Sequence, residues 1–255
     1  MARTERIESS TGIYHVMVRG INKQNIFVED SDYYKYLNTL GEYQKEICFE
    51  LYAYCLMDNH LHLLVKEGNE KIGNTMKRIG VSYVSWFNWQ YNRSGHLFQG
   101  RFKSEPVEDE TYFLTVLRYI HQNPTKAGLT KELEKYKWSS YYEYVNQSKL
   151  IDKDFALKIF SENRNIALEK FRDFHRELNK DVCLDIEEAK RTLSDRDIKD
   201  LVLKKYEIDL ISLQNVEEKI QDKILLYLME KEGASLRQLS RLTGLTVHRI
   251  YKIKG

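Results

Sequence analysis

The stretch FELYAYCLMDNHLHLLV, residues 49–65, consists of two apolar, β-rich runs separated by an Asp-Asn dipeptide. A short polar pair between two such runs indicates a β-hairpin. We therefore expect a strand over residues 49–57, a tight turn, and a second strand that begins at His60. Side chains two positions apart on a strand point to the same face, so His60 and His62 should project together.

The segments on either side of this hairpin alternate between strand and helix periodicity. The elements that they predict are a strand at 13–19, a helix at 31–47, a helix at 69–92, a strand ending near 106 and a helix at 109–123. Ser31 is the expected N-cap of the first helix, and Pro124 should stop the last one. The order β-α-β-β-α-β, followed by one more helix, predicts an α+β fold. We expect a ferredoxin-like antiparallel sheet with helices on one face.

Composition limits the classes of protein to which the chain can belong. Apolar residues make up 42% of the 255 positions, and the net charge is only +2. A nucleic-acid surface would therefore have to come from local clustering of cations. The three cysteines have no metal-like spacing, and no segment is apolar enough to span a bilayer. We expect a cytoplasmic protein without membrane contact.

The rest of the chain reads as an all-α extension. We expect an α+β domain over 1–145, a helical connecting region over 146–215, and a segment over 216–255 that ends in a helix-turn-helix. The sequence SLRQLSRLTGLTVHRIYKI, residues 235–253, has the apolar spacing and the small residue before a turn glycine that this motif requires. From residue 233 to the end there are five Lys or Arg residues and no Asp or Glu.

The second helix of this motif should expose the residues that would enter a DNA groove, Thr246, His248, Arg249 and Lys252. A small helical bundle with a basic surface is the alternative reading. The sequence leaves both open.

The paired histidines are the strongest chemical signal. Two neutral imidazoles on one strand face can bind a divalent metal, although two hydrogen-bonded surface histidines would have the same spacing. Tyr119 and Asn123 lie four apart on the predicted third helix, so they share a face. Asn123 could add an amide oxygen to a metal beside the Tyr119 phenol. The alternative is that Tyr119 packs in the core and Asn123 caps the helix.

These motifs resemble a known family. NHLHLL, residues 59–64, looks like the histidine–hydrophobe–histidine (HUH) motif of single-tyrosine transposases, and LRYIHQNPTKAGL, residues 117–129, looks like the tyrosine helix of the REP-associated branch. Three further segments resemble that branch: YHVMVRGINKQNIF at 14–27, LFQGRFKSEPVED at 97–109 and KWSSYYEY at 137–144. The motifs occur in the family's order and cover residues 10 to 145.

The resemblance implies a metal-dependent enzyme that cuts and rejoins single-stranded DNA at hairpins of imperfect palindromes. It implies that His60, His62 and Asn123 bind Mg²⁺ or Mn²⁺ and that Tyr119 is the nucleophile. The product would be a 5′-phosphotyrosine, and a second 3′-OH could reseal it without ATP or an organic cofactor. The insertion-sequence branch has glutamine where Asn123 stands, which favours the REP-associated branch. The family contains dimers, so we expect a monomer or a homodimer.

Five cations near the predicted site are candidates for phosphate contacts: Arg19, Lys23, Arg101, Lys103 and Lys126. Two competing functions stay open. The chain could be a DNA-binding regulator that does not cleave, because its end resembles a helix-turn-helix. It could also be a hydrolase in which a metal-bound water, and not Tyr119, is the nucleophile.

Overall fold

The computed structural model describes residues 6–177, 181, 183–184, 195–230 and 234–253. The chain divides into two compact units, Met1–Asp185 and Ile186–Gly255. The hydrophobic core of the first unit includes residues of the predicted connecting region, such as Ala167 and Phe171. The core of the second includes Ile198 and Leu213. By packing, the region predicted as a connection is therefore shared between the two units.

The first unit is built on an antiparallel sheet of four strands. They are β1 (Ile13–Arg19), β2 (Glu50–Met57), β3 (His60–Lys66) and β4 (Lys103–Pro106), in the spatial order β2-β3-β1-β4. β2 and β3 form the expected hairpin across a two-residue turn. The antiparallel sheet and the order of elements along the chain confirm the mixed α and β class that the sequence predicts.

Three helices pack on this sheet: α1 (Asp30–Ile47), α2 (Ile72–Gln90) and α3 (Glu110–Lys126). Val18 lines one cavity with Tyr36 of α1 and Met76 of α2. Side chains alternate along β1, and on its opposite face His15 lies against Tyr119 of α3. The prediction that the helices lie on one face is therefore wrong, because α3 covers the other face. Residues on both faces of β1 are apolar enough to be buried. The sequence pattern alone therefore does not show whether helices cover one face of the sheet or both.

The ends of two helices differ from the sequence prediction. α1 begins at Asp30 with Glu29 as its N-cap in a capping box with Asp32, so Ser31 lies within the first turn. The Asp32 carboxylate accepts hydrogen bonds from the backbone of Val28 and Glu29, which fixes the earlier start. Pro124 does not stop α3, and the helix continues to Lys126. Proline removes one backbone donor, and the next turn still closes, since the Ala127 amide donates to the Asn123 carbonyl.

The remaining helices of the first unit are α4 (Tyr141–Val145), α5 (Lys153–Phe160) and α6 (Arg164–Arg176). The second unit contains α7 (Asp195–Tyr206), α8 (Glu218–Glu230), α9 (Leu236–Thr243) and α10 (Val247–Lys252). Short 3-10 turns occur at Ile21–Lys23, Leu133–Lys135 and Leu210–Asn215. Within the described ranges, the chain has no helix whose length and hydropathy would let it cross a bilayer.

Candidate active site

The paired histidines of β3 lie beside the tyrosine of α3. His60 and His62 project from the same face of the sheet, with ring centroids 5.2 Å apart. The centroid of the Tyr119 ring is 5.6 Å from that of His62 in an edge-to-face arrangement. All three side chains are more than nine-tenths buried. The fold thus brings the Tyr119 phenol to two imidazoles that precede it by more than fifty positions in the sequence.

Tyr119 is held in place by the packing of α3. Asp109 caps the helix by accepting from the Tyr112 amide. Phe113, Val116 and Ile120 anchor the helix in the core with almost no exposure. Because the anchors fix the rotation of the helix, Tyr119 faces the histidines. The side chain of the exposed Lys126 extends towards Tyr119, and its ammonium lies 5.3 Å from the centre of the Tyr119 ring.

Hydrogen bonding defines the tautomer of His60. Its Nδ1 lies 2.7 Å from the amide oxygen of Asn59, the residue before it in the hairpin turn. An amide oxygen only accepts, so His60 Nδ1 carries the proton and Nε2 carries the lone pair. A metal-binding histidine typically donates a hydrogen bond from one ring nitrogen and binds the metal through the lone pair of the other. Thus His60 fits the metal-ligand role.

His62 is bonded to a third histidine that the sequence analysis did not select. His15 of β1 places its Nε2 3.0 Å from His62 Nδ1, and both rings are fully buried. None of the described residues hydrogen-bonds to His62 Nε2. An orphaned ring nitrogen in a buried site fits a ligand for a cation. The available signal for His15 was a polar residue inside an apolar strand, in the segment YHVMVRG.

Asn123 lies one helical turn after Tyr119, on the same face of α3. Its side chain is 8% exposed, and in the described part of the chain its amide nitrogen finds no acceptor. Since α3 ends three residues later, Asn123 does not cap the helix. Asn123 is therefore a buried side chain on the face of α3 that carries Tyr119, and an amide oxygen is a ligand that suits Mg²⁺ or Mn²⁺.

A second group of buried histidines holds α3 against its neighbours. His121 Nδ1 is 2.9 Å from His175 Nε2, and His121 Nε2 is 2.9 Å from the hydroxyl of Ser140. His175 Nδ1 donates to the Phe171 carbonyl, which leaves His175 Nε2 as an acceptor. His121 must then donate to His175 and accept from Ser140. This chain of bonds links α3 to α6 at a position between Tyr119 and Asn123.

The two histidines of this chain should make the stability of the first unit sensitive to acid. Burial lowers the pKa of His175 to about 3 and holds that of His121 well below the ordinary value of 6.5. The unfolded chain therefore binds protons that the folded chain excludes. The stabilisation is complete above pH 6.5 and is lost as pH falls below that value, by about 2 kcal/mol for each histidine at about pH 5.

We expect urea unfolding, followed by tryptophan fluorescence, to give a free energy of unfolding lower by at least about 4 kcal/mol at pH 5 than at pH 7, because burial also lowers the pKa of His15 and His62 in the same unit. All three tryptophans, Trp86, Trp89 and Trp138, lie in the first unit. A His175→Gln variant should show a smaller loss with acid, whereas a variant at the exposed His248 should behave like the parent. Equal free energies at both pH values would contradict the assignment.

Three of the predicted phosphate-binding cations lie on the side of the sheet that carries the histidines. Arg19 pairs with His60 in the β1–β3 register, and Lys103 pairs with Met17, which is itself opposite His62. Lys126 contacts Tyr119 as described. Arg101 instead lines the cavity of about 530 Å³ beside α2, and Lys23 is exposed in the turn after β1. The structure thus groups Arg19, Lys103 and Lys126 with the site and places Arg101 at the cavity on the opposite face of the sheet.

The C-terminal residues lie in the second unit. Gly244 follows the last residue of α9 and has the left-handed conformation (φ 74°), and Thr246 caps α10 by accepting from the Arg249 amide. Thr246, His248 and Lys252 are exposed as expected. Arg249 was expected to be exposed as well, and this is wrong. Its guanidinium forms ion pairs with Glu218 and Asp222 of α8, at 2.9 and 2.6 Å.

Comparisons with known proteins give a matching family model and several similar proteins. Residues 8–123 match the family model described as "Transposase IS200 like". A Haemophilus influenzae protein named as a candidate REP-associated tyrosine transposase is 24% identical over 125 residues, covering 43% of this chain and 71% of that protein. The solved structure of a REP-associated tyrosine transposase bound to a REP hairpin matches at a TM-score of 0.51 and 18% identity, covering 60% of this chain and 90% of that one. A solved candidate transposase from Deinococcus radiodurans gives a TM-score of 0.34 at 16% identity, covering 48% and 97%.

Proposed function

We propose that this chain, whose residues 8–123 match the IS200-like transposase family model, is an enzyme that cuts and rejoins single-stranded DNA next to hairpins formed by imperfect palindromes. The observation that carries the proposal is the position of the Tyr119 ring, 5.6 Å from the buried His62 and on the sheet face that also carries His60. A relative that was solved with a REP hairpin supports the choice of hairpin DNA as substrate.

Tyr119 is the proposed nucleophile. Its phenol oxygen attacks the scissile phosphorus, and the bond from phosphorus to the 3′ oxygen breaks. The phenol gives up its proton and the released 3′ oxygen gains one, so the step is balanced. The product is a 5′-phosphotyrosine and a free 3′-OH. The phosphotyrosine ester retains the free energy of the DNA phosphodiester bond that it replaces. Attack by another 3′-OH can therefore restore a DNA strand and release Tyr119 without ATP.

His60, His62 and Asn123 are the proposed ligands of a divalent cation, Mg²⁺ or Mn²⁺. When bound, the cation would stabilise negative charge on the phosphate oxygens during transfer. The fit rests on the Nδ1–H tautomer of His60, on His62 Nε2, which has no hydrogen-bond partner among the described residues, and on the buried position of Asn123 one helical turn after Tyr119. Asn59 orients His60 through its hydrogen bond, and Tyr119 is 4% exposed. Arg19, Lys103 and Lys126 are placed to contact the DNA backbone.

The test is incubation of the protein with an end-labelled hairpin oligonucleotide that carries single-stranded flanks, with either Mg²⁺ or Mn²⁺. We expect a shortened strand and a protein band that retains the label after denaturation. A duplex of the same composition without a hairpin is the control substrate and should give neither. Cleavage without any covalent protein–DNA species would favour the alternative in which water is the nucleophile.

A second proposed activity belongs to the C-terminal unit. The N-cap Thr246 and the α10 residues His248 and Lys252 are exposed, and the turn at Gly244 separates α10 from α9 as in a helix-turn-helix. We propose that α10 contacts duplex DNA. If the protein were a regulator that does not cut, this contact would be its main activity, and DNA binding would occur without cleavage under every metal condition.

Substituting Lys252→Ala should weaken duplex binding by several fold and lower the salt dependence of log K by about one unit, because one phosphate contact is lost. Fluorescence anisotropy over a range of salt concentrations would measure both quantities. Lys219→Ala, which removes an exposed lysine of α8, is the matched control and should leave the slope unchanged. Identical slopes for the parent and the Lys252 variant would remove α10 from the interface.

A further inference from the structure

His15 is a fully buried polar residue that the proposed chemistry does not yet use. It lies on β1 and meets His62 of β3 through one hydrogen bond, Nε2 to Nδ1, of 3.0 Å. Its ring is also 5.8 Å from that of Tyr119, in an edge-to-face arrangement. In the part of the chain that the structure describes, its Nδ1 has no hydrogen-bond partner. His15 therefore makes its one directional bond with the proposed metal ligand.

That single hydrogen bond links the tautomers of the two rings. One proton lies between His15 Nε2 and His62 Nδ1, so one ring donates and the other accepts. If His15 donates, the neutral His62 carries its own proton on Nε2, and this nitrogen has no lone pair for a cation. If His62 donates, its Nε2 lone pair faces the site. Only the second arrangement is compatible with metal binding by His62.

We propose that His15 is a positioning residue that accepts the Nδ1 proton of His62 and so presents the His62 Nε2 lone pair to a divalent cation. This inference rests on the metal part of the proposed function. In this arrangement His15 carries its own proton on Nδ1. No proton is gained or lost by the pair, because each neutral ring keeps one. The role differs from that of Asn59 at His60, since an amide oxygen can only accept, whereas His15 could also hold the opposite arrangement.

The fold explains why this bond forms. Met17 is the direct partner of His62 in the antiparallel register, and His15 lies diagonal to it, two residues away on the same strand face. A diagonal neighbour on a sheet is within reach of an aromatic side chain. The His15 and His62 rings are tilted by 34° at a centroid distance of 5.2 Å, which brings the two nitrogens together edge to edge. Burial of both rings excludes water as a competing partner for the shared proton.

The test measures the affinity of the full-length protein for Mn²⁺ without DNA, by electron paramagnetic resonance of the free ion. His15→Leu removes the acceptor and should weaken Mn²⁺ binding by about 10- to 100-fold, as loss of a residue that orients a ligand does in other metal sites. His15→Gln places an amide oxygen near the former position of Nε2 and should restore most of that affinity. Val16→Ala, a buried residue on the opposite face of the same strand, is the control for lost packing and should bind Mn²⁺ like the parent.

The possible results distinguish a failure of the His15 role from a failure of the proposed metal site. Mn²⁺ affinity within about twofold of the parent for His15→Leu, or no recovery in His15→Gln, would overturn the role of His15. Absence of Mn²⁺ binding by the parent would overturn both the metal assignment and this inference. A second readout is the tautomer of His62 from long-range ¹⁵N–¹H correlation spectra with Mg²⁺. We expect Nδ1–H in the parent and in His15→Gln, and a His62 that stays Nε2–H in the parent would contradict the inference.

Discussion

Tyr119→Phe should abolish the covalent protein–DNA species and lower strand cleavage by at least about 1000-fold, because the variant lacks the oxygen that attacks the phosphorus. The phenylalanine ring keeps the edge-to-face contacts with His15 and His62. The fold and the affinity for Mn²⁺ should therefore stay close to those of the parent. Single-turnover cleavage of a labelled hairpin is the measurement, with denaturing gels to detect the adduct.

The matched control for this variant is Tyr34→Phe, which removes the same oxygen from an exposed tyrosine of α1 that is 56% accessible. It should cleave like the parent. If Tyr119→Phe and Tyr34→Phe both cleave at the parent rate, the nucleophile is not Tyr119. Cleavage that persists in Tyr119→Phe and still requires a divalent cation would favour the hydrolase in which water attacks.

His62→Ala should have the second large effect. We expect Mn²⁺ affinity to fall by more than about 100-fold and cleavage to fall with it, since the variant loses one of two imidazole ligands and the stabilisation of charge on the phosphate. His62 is completely buried, so the variant will also be less stable. Titration with Mn²⁺ followed by electron paramagnetic resonance measures the first effect without depending on activity.

His175→Gln controls for the loss of a buried histidine. Like His62 it is almost fully buried and forms hydrogen bonds, but it lies in the second histidine group, away from the proposed ligands. It should lower stability and leave Mn²⁺ affinity within about threefold of the parent. Equal Mn²⁺ affinity in His62→Ala and the parent would remove His62 from the ligand set, and the orphaned Nε2 would then need another explanation.

The features that the sequence predicts correctly depend on local periodicity. The hairpin follows from two β-rich runs around a polar dipeptide, and the common face of His60 and His62 follows from their spacing on one strand. The shared face of Tyr119 and Asn123 follows in the same way from helical spacing. The order of strands and helices then indicates the antiparallel sheet. Each of these inferences uses only residues that are close together in the chain.

The features that the sequence does not predict depend on contacts between distant segments. His15 joins the site only because β1 pairs with β3, so that a residue 47 positions earlier comes to lie against His62. The position of α3 on the opposite face of the sheet depends on which side of an apolar strand each helix packs against. The sequence predicts Arg249 as an exposed cation of α10, but the fold of the second unit places its guanidinium beside the carboxylates of Glu218 and Asp222.

The central claim is that Tyr119 becomes covalently bonded to DNA, and mass spectrometry of the trapped complex tests it most directly. The protein is incubated with a hairpin oligonucleotide and Mn²⁺, the complex is digested with nuclease and protease, and the peptides are sequenced. We predict that the peptide containing residues 119–126 carries a nucleotide phosphate on the Tyr119 oxygen. A nucleotide on another side chain, or cleaved DNA with every tyrosine unmodified, would contradict the account.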